Sequence, residues 1–426
     1  MADHRFGFDT LCLHAGQIPD STTGARAVPI YQTSSFVFDS PEHAANLFNL
    51  QTFGNVYSRL SNPTVAVLEE RVAALEGGRA AVATGSGMAA QMIALLNICE
   101  AGDEIVAART LYGGTHTQLG VNFARLGIHT IFVDPGDPQN FVRAITPRTK
   151  ALYAETLGNP ALGVIDIEAV AAIGLAAGVP LVIDNTMASP WLCQPFQWGA
   201  AVVVHSATKF LGGHGTTMAG VVVESGKFPW DNGRFPTMTE PSPGYHGVRF
   251  YETFGNFGFT MKCRMEGMRT FGPVLSPFNA FLILQGIETL HLRMERHCSN
   301  ALQVAQWLRA HPKVAWVNYP GLEDHAQRDL VEKYLPKGGG AILTFGIHGG
   351  SAAGERFIDR LEFLSHLANI GDAKTLVIHP ASTTHRQLDE TQQIAAGVPP
   401  DLIRLSVGLE SLDDILWDLD QALHAA

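Results

Sequence analysis

An α/β fold with two domains is what this 426-residue sequence predicts. Between residues 78 and 225, short apolar runs alternate with amphipathic ones, the pattern of a sheet built from βα units. Several of those runs, 180–184 and 201–204 among them, are almost continuously apolar, as strands become when helices cover both faces of a sheet. Forty-three glycines supply the tight turns such an alternation needs. Strands are expected at 80–83, 104–107, 130–133, 151–155, 181–184, 201–205 and 220–223, and helices at 87–98, 115–126, 138–144 and 167–177. Residues 1–60 are rich in turn-formers and read as an arm placed to pack on another subunit. Residues 61–260 make the large domain, whose stretch 226–259 is irregular, with Pro229, Pro236, Pro241 and Pro243 among aromatics. From residue 274 the pattern changes to a long helical segment over 277–310, strands at 341–345 and 402–407, and helices around 353–364 and 413–425. That is a smaller α+β domain over 261–426.

The length exceeds what one small core serves. A hydrophobic fraction of 46% with 16% charged residues describes an ordinary globular chain. The net charge of −11 gives no support to nucleic-acid binding, which relies on basic patches. Cys12, Cys99, Cys193, Cys263 and Cys298 are odd in number and contain no CxxC pair. Neither a disulfide framework nor a zinc site is expected, and a reducing, cytoplasmic compartment is. His14, His214, His246, His379 and His385 show no HxxxH or HxH spacing, so no metal is expected. The first nine residues carry Asp3, His4, Arg5 and Asp9 instead of the apolar core of a signal peptide. No apolar run is long enough to cross a bilayer.

The most informative residue is Lys209, in the run His205-Ser206-Ala207-Thr208-Lys209-Phe210-Leu211-Gly212-Gly213-His214 that follows an apolar strand. A lysine leaving a buried strand is desolvated, which favours the neutral amine able to attack a carbonyl. Ser206 and Thr208 beside it suit an anionic group such as a phosphate. An amine for an aldehyde and a cup for a phosphate ester together fit pyridoxal 5′-phosphate. The plainer alternative is a surface lysine in a polar turn. Asp184 ends the run Pro180-Leu181-Val182-Ile183-Asp184 and precedes Asn185-Thr186. A carboxylate there can keep a pyridine nitrogen protonated, although capping a turn is the commoner role of such an aspartate. Thr84-Gly85-Ser86-Gly87-Met88 passes from strand to helix, where free N–H groups and the helix dipole make an anion site.

Tyr112, after the strand at 104–107, could stack on a cofactor ring or serve only in packing. Asn159 in Asn159-Pro160 could donate to the phenolic oxygen of the cofactor, and turn chemistry explains it as well. Arg404, inside an apolar strand, needs an anionic partner: an internal carboxylate, or the α-carboxylate of an amino-acid ligand.

Together with Tyr57-Ser58-Arg59, Asn62-Pro63-Thr64 and Arg404-Leu405-Ser406-Val407-Gly408-Leu409-Glu410, these segments resemble the PLP-dependent enzymes of cysteine and methionine metabolism from end to end. That family contains cystathionine γ-synthase, the cystathionine lyases, methionine γ-lyase and the homoserine sulfhydrylases. The resemblance implies a PLP-dependent transferase of fold type I, aspartate-aminotransferase-like, with residues 61–260 as the cofactor-binding domain. It implies Lys209 as the lysine that holds the aldehyde and shuttles protons, Asp184 as partner of the ring nitrogen, and Tyr112 as the stacking and catalytic aromatic. Ser86, Gly87, Met88, Ser206 and Thr208 would hold the phosphate, with Asn159 and Thr186 completing the cofactor site. Tyr57 and Arg59 would reach the phosphate of a neighbouring subunit in a homotetramer built from active dimers. Arg404, Asn369 and Tyr57 would bind substrate.

Within the family, residues 205–215, 245–247, 275–281, 369–374 and 379–385 resemble the O-acetylhomoserine sulfhydrylases. The implied reaction replaces the acetyl group of O-acetyl-L-homoserine with sulfide or methanethiol, giving homocysteine or methionine. Cystathionine γ-synthase, O-succinylhomoserine sulfhydrylase and methionine or cystathionine γ-lyase are the alternatives within the family. Gly113-Gly114 stands where methionine γ-lyases carry a cysteine. Asn369-Ile370-Gly371-Asp372 stands where cystathionine enzymes carry a serine-leucine-glycine-glycine run. A PLP-binding protein without turnover would not need the full residue set. A nicotinamide dehydrogenase would need a GxGxxG turn that Gly85-Ser86-Gly87-Met88 does not continue.

Overall fold

A computed structural model describes residues 4–383, 386 and 397–426 of the chain. All seven strands expected before residue 225 form, and they join one sheet: β1 (Ala80–Thr84), β2 (Glu104–Ala108), β3 (His129–Val133), β4 (Thr149–Glu155), β5 (Leu181–Asp184), β6 (Val202–Ser206) and β7 (Gly220–Glu224). Their order is β1-β7-β6-β5-β4-β2-β3. β7 runs antiparallel to both neighbours, and every other pairing is parallel. The carboxyl ends of β1, β2, β4, β5 and β6 therefore share one edge. In sheets of this kind that edge is where ligands bind.

Helices cover both faces of the sheet, which is why β2, β6 and β7 are buried along nearly their whole length. Asn62-Pro63-Thr64 starts one of them, Pro63–Glu76. Asn62 accepts from the Thr64 amide at 3.0 Å, Pro63 occupies the first turn, and Gly77 closes the helix at φ 71°. The helix Gly87–Leu96 starts where β1 ends and packs on β6 and β7.

The second sheet holds β8 (Val314–Asn318), β9 (Ile342–Ile347), β10 (Ser365–His366), β11 (Leu376–Ile378) and β12 (Leu402–Ser406), in the order β10-β11-β12-β9-β8. Its own apolar core runs from Ala301 to Leu423 and includes the helices Gly350–Arg360 and Leu412–Ala425. The core of the large sheet reaches past residue 261 and takes in the helix Pro277–Glu288. The segment 226–259 is irregular but for the short turns Pro236–Thr239, Phe250–Phe254 and Gly255–Phe257, and a helical run begins at Gly258. The arm opens by packing on its own chain: the helix Phe8–His14 lies on Pro63–Glu76 and buries Cys12. Beyond it the arm is open, with Val37 95% and Phe53 74% exposed. Thr384 and His385 lie outside the described residues.

One expectation is corrected. Residues 277–310 form two helices, Pro277–Glu288 and Leu290–Ala310, that break at Thr289. Two packing demands cause the break. A side chain at Gly286 would lie 2.1 Å from the carbonyl oxygen of Gly212, and the Arg293 guanidinium donates to Gly286 O at 2.7 Å and Phe210 O at 2.8 Å. Gly286 O also accepts from the Thr289 amide at 3.3 Å, and the guanidinium adds a donor there that ties the break to the turn that follows Lys209.

Glu224 in β7 is buried, and both the Thr260 amide and hydroxyl donate to its Oε1, at 3.0 and 2.5 Å. Burial nevertheless pushes its carboxyl up to about 7. Below the unfolded-state value of about 4.3 the group is protonated in both states and costs nothing. As pH rises from there to about 7, the unfolded chain ionises first and folding loses stability; above 7 the cost is complete. Glu224→Gln keeps an oxygen for both donors. It is expected to raise Tm by about 2–4 °C at pH 8 and to leave it unchanged at pH 4, read by thermal melts.

Candidate active site

A cavity of about 240 Å³ opens at the carboxyl-end edge of the large sheet. Twelve sequence-derived candidates line it: Ser86, Gly87, Met88, Tyr112, Asn159, Asp184, Thr186, Ser206, Thr208, Lys209, Asn369 and Arg404. Tyr57 and Arg59 do not. They lie apart on the arm, Tyr57 42% exposed with the Arg59 guanidinium 5.2 Å above its ring.

Lys209 sits in the turn that leaves β6, and its Nζ donates to Asn369 Oδ1. Burial, and then the Arg404 cation, lower its pKa, so the neutral amine is easier to reach than on an exposed lysine. The loop bearing Asn369 is held against this turn: a side chain at Gly371, φ 73°, would meet the Phe210 amide at 2.7 Å. Gly371 N also donates to Ser406 of β12 at 2.9 Å.

Asp184 ends β5. The Thr186 amide donates to its Oδ1 at 2.9 Å, and burial holds its carboxyl above the usual range. Thr186 Oγ1 accepts from the Ser206 amide at 2.8 Å, which locks the ends of β5 and β6 together. The capping role open to Asp184 from the sequence is thus present, and the carboxylate also faces the cavity.

At the helix terminus after β1, Ser86 caps Gly87–Leu96 by accepting from Ala89 N at 3.2 Å. A Cβ on Gly87 would stand 2.6 Å from that of Ser206, so only glycine lets the helix terminus approach the end of β6. The free amides at 86–88 and the Ser206 hydroxyl then converge on one spot, an anion site. The Thr208 hydroxyl is engaged: it accepts from Ala219 N at 3.1 Å and donates to Ala219 O at 3.3 Å. The longer bond is the one it would exchange for an anion.

Tyr112 stands at the cavity mouth, 52% exposed. Its ring fills the space where Gly114 lacks a side chain, since a Cβ there would lie 2.4 Å from Tyr112 Cε1. Arg404 in β12 donates to Asn159 Oδ1 at 3.2 Å, not to a carboxylate, among the described residues. Among the described residues the internal salt bridge open from the sequence does not form, and the guanidinium remains available to an anion. With Oδ1 accepting, Asn159 presents its amide nitrogen as a donor.

Four residues with functional placement were not singled out from the sequence: Glu155, Tyr153, Gln91 and Gln118. Glu155 ends β4 as the register partner of Asp184 and lines the cavity. It accepts from the Tyr112 amide at 2.6 Å, and burial, with the Asp184 charge, raises its carboxyl well above the usual range. Tyr153 donates to Gln91 Oε1 at 2.7 Å, and Gln91 donates to Gln118 Oε1 at 2.8 Å. Gln118 in turn donates to the Met88 carbonyl at 3.1 Å, so this buried chain leads from β4 to the anion site. The strand-end rule, applied to β4 as it was to β5 and β6, points to Glu155.

Histidine spacing also concealed a group away from the cavity. His311, Asp420 and His424 bring ligand-type atoms within 4.8 Å of one another. His311 Nδ1 accepts from the Lys313 amide at 3.2 Å, which leaves the ring proton on Nε2, 3.4 Å from Asp420 Oδ1. The group reads as a histidine–carboxylate contact. His379 is spent structurally, bonded to Ser382 Oγ at 2.8 Å and Pro400 O at 2.7 Å.

The donor set fits pyridoxal phosphate: an amine of lowered pKa, a buried carboxylate that a cationic ring would stabilise, an anion cup shaped around Gly87, and an aromatic face. Fold and site together define a pyridoxal-phosphate enzyme of fold type I. The model of the Cys/Met metabolism PLP-dependent enzyme family matches residues 9–424, and the chain belongs to that family.

It is 58% identical to the O-acetyl-L-homoserine sulfhydrylase of Leptospira meyeri over 97% of this chain and 96% of that one. It is 52% identical to the homocysteine synthase of Schizosaccharomyces pombe, over 98% of both chains. A solved structure of an O-acetylhomoserine (thiol)-lyase from Campylobacter jejuni superimposes with a TM-score of 0.95. That chain is 39% identical, is covered in full, matches 98% of this one, and carries a pyridoxyl-lysine monophosphate.

Proposed function

We propose that this enzyme replaces the acetyl group of O-acetyl-L-homoserine with sulfide, forming L-homocysteine and acetate, and accepts methanethiol in place of sulfide to form methionine. The observation that carries the reading is the convergence of Lys209, Asp184, Tyr112 and Arg404 on one cavity, in a chain that full-length sulfhydrylases match at 48–58% identity.

Pyridoxal phosphate, when bound, supplies an aldehyde that captures the substrate amine and a protonated ring that takes up carbanion electrons. The residues of the chain do the rest. Arg404 pairs with the substrate α-carboxylate, and its bond to Asn159 aims the guanidinium fork. The Lys209 amine takes the proton from the substrate α-carbon, hands it on, and, neutral again, takes one from Cβ, whose electron pair expels acetate from Cγ. After sulfide adds at Cγ, Lys209 delivers one proton to Cβ and, once it has taken up another, one to Cα. One amine can serve two carbons because its turn is pinned by Arg293 and by the Asn369 loop, a positioning effect. Asp184 keeps the ring nitrogen protonated, and Tyr112 covers the ring face. The amides at 86–88 with Ser206 and Thr208 bind the phosphate, and Thr186 holds Asp184 in place.

The same reading assigns Tyr57 and Arg59 to the cavity of a second copy, in a homotetramer of active dimers in the cytoplasm. Support comes from their exposure and distance from their own cavity, from the apolar side chains bared along the arm, and from five free, buried cysteines.

Purified enzyme supplied with sulfide and either O-acetyl- or O-succinyl-homoserine decides the reaction. Homocysteine is expected from the acetyl ester. Product from the succinyl ester alone, or release of a keto acid from methionine or cystathionine as the main reaction, would replace this assignment with one of its alternatives. Arg404→Ala is expected to raise KM for the acetyl ester by about 100-fold with a smaller change in kcat, in steady-state kinetics.

A further inference from the structure

We propose that Glu155 is a positioning residue, a buried clamp that holds the Tyr112 loop and the Asn159 loop at a fixed separation across the cofactor cavity. This rests on the pyridoxal-phosphate reading of the cavity and adds a residue to it.

Three observations support the clamp. The carboxylate accepts from the backbone amide of Tyr112 at 2.6 Å, and the backbone amide of Asn159 also stabilises its charge. The two loops it joins touch directly: a Cβ on Gly158 would lie 2.9 Å from Thr110 Oγ1, so they pack with no side chain between them. Glu155 also lines a second cavity of about 180 Å³, beside Thr110 and Val164, and is thus shared by the linings of both spaces.

The partners explain why a carboxylate occupies a buried strand end next to Asp184. Two amides from different loops need an acceptor with two oxygens, and a strand terminus is rigid enough to present it. On the far side, the Asn159 loop is anchored independently. Gln327 accepts from Val164 N at 2.9 Å and donates to Val164 O at 3.0 Å, and Asn318 donates to Ala161 O at 2.7 Å. Glu155 therefore sets the Tyr112 side against a fixed reference. Misplacement of a positioned group by about 1 Å costs on the order of 100-fold in rate.

The test compares Glu155→Ala, Glu155→Gln, Tyr112→Ala and the Glu155→Ala/Tyr112→Ala double variant as holoenzymes, in acetyl-ester turnover with sulfide. Borohydride trapping of cofactor on Lys209 and visible circular dichroism of the bound cofactor accompany the kinetics. Glu155→Ala is expected to trap as much cofactor as wild type, to change the dichroism, and to lose about 100-fold in kcat/KM. Glu155→Gln, with one oxygen for two amides, is expected to lose about 10-fold. The double variant should fall within about 3-fold of Tyr112→Ala alone, because Glu155 acts through that loop. Losses that multiply in the double variant, or wild-type kcat/KM in Glu155→Ala, would overturn the clamp. If Glu155→Ala does not fold, Glu155→Gln and its combination with Tyr112→Ala decide by the same criteria, and wild-type kcat/KM in Glu155→Gln overturns it. Failure of wild-type enzyme to trap cofactor at Lys209 would instead strike the reading of the cavity itself.

Discussion

Lys209→Ala is expected to lower kcat by at least about 10⁴-fold and to remove the visible absorbance of covalently held cofactor, while cofactor still binds non-covalently. Loss and retention have separate causes. The amine is the group that captures the aldehyde and moves both protons, and no other lysine lines the cavity among the described residues. The phosphate site is built from other parts: the amides at 86–88, the Ser206 hydroxyl, and the glycine contact between Gly87 and Ser206. Lys209→Arg keeps the charge but offers no neutral amine and is expected to be as inactive. Absorbance spectra with single-turnover kinetics check both variants. Covalent absorbance or turnover surviving in Lys209→Ala would place the chemistry elsewhere.

Asp184→Asn is expected to cost about 10³-fold in kcat and to reverse its effect on stability between the cofactor-free and loaded protein. Asparagine can still accept from the Thr186 amide, so the strand end keeps its shape while the charge that holds a proton on the ring nitrogen is lost. Without cofactor, burial raises the Asp184 carboxyl above its unfolded value. The group then costs nothing below the unfolded value. The cost grows as pH rises through the interval between the two values and is full above the folded one. The cofactor-free variant should therefore melt above wild type at pH 8, and the loaded variant below it. Melts of both forms check the sign. A wild type without cofactor that melts higher than the variant at pH 8 would show that the carboxylate is not strained by burial.

This carboxylate illustrates how much the sequence discloses. The strand ends at Asp184 and Ser206, the glycine turn at 85–87 and the lysine were all legible, because a buried run that stops at polar residues leaves a mark in a single stretch of chain. Glu155 left a fainter one. It sits inside Tyr153-Ala154-Glu155-Thr156, and its partners, Tyr112 and Asn159, meet it only through backbone amides, which any residue supplies. Gln91 and Gln118 were illegible for a related reason: each is an ordinary helix residue until β4 brings Tyr153 within 2.7 Å of Gln91. The break at Thr289 depends on the carbonyls of Phe210 and Gly286 reaching Arg293, a contact 83 residues away in one case. Arg404 was legible as a buried cation in want of a partner. Its bond to Asn159, on the loop after β4, was not.

Everything proposed for catalysis depends on which amine holds the cofactor. Reduction of the holoenzyme with borohydride, followed by proteolysis and mass mapping, is expected to find a single pyridoxyl-phosphate adduct, on the peptide that contains Lys209. An adduct on any other lysine, or none on a protein that had absorbed as a loaded enzyme, would contradict it.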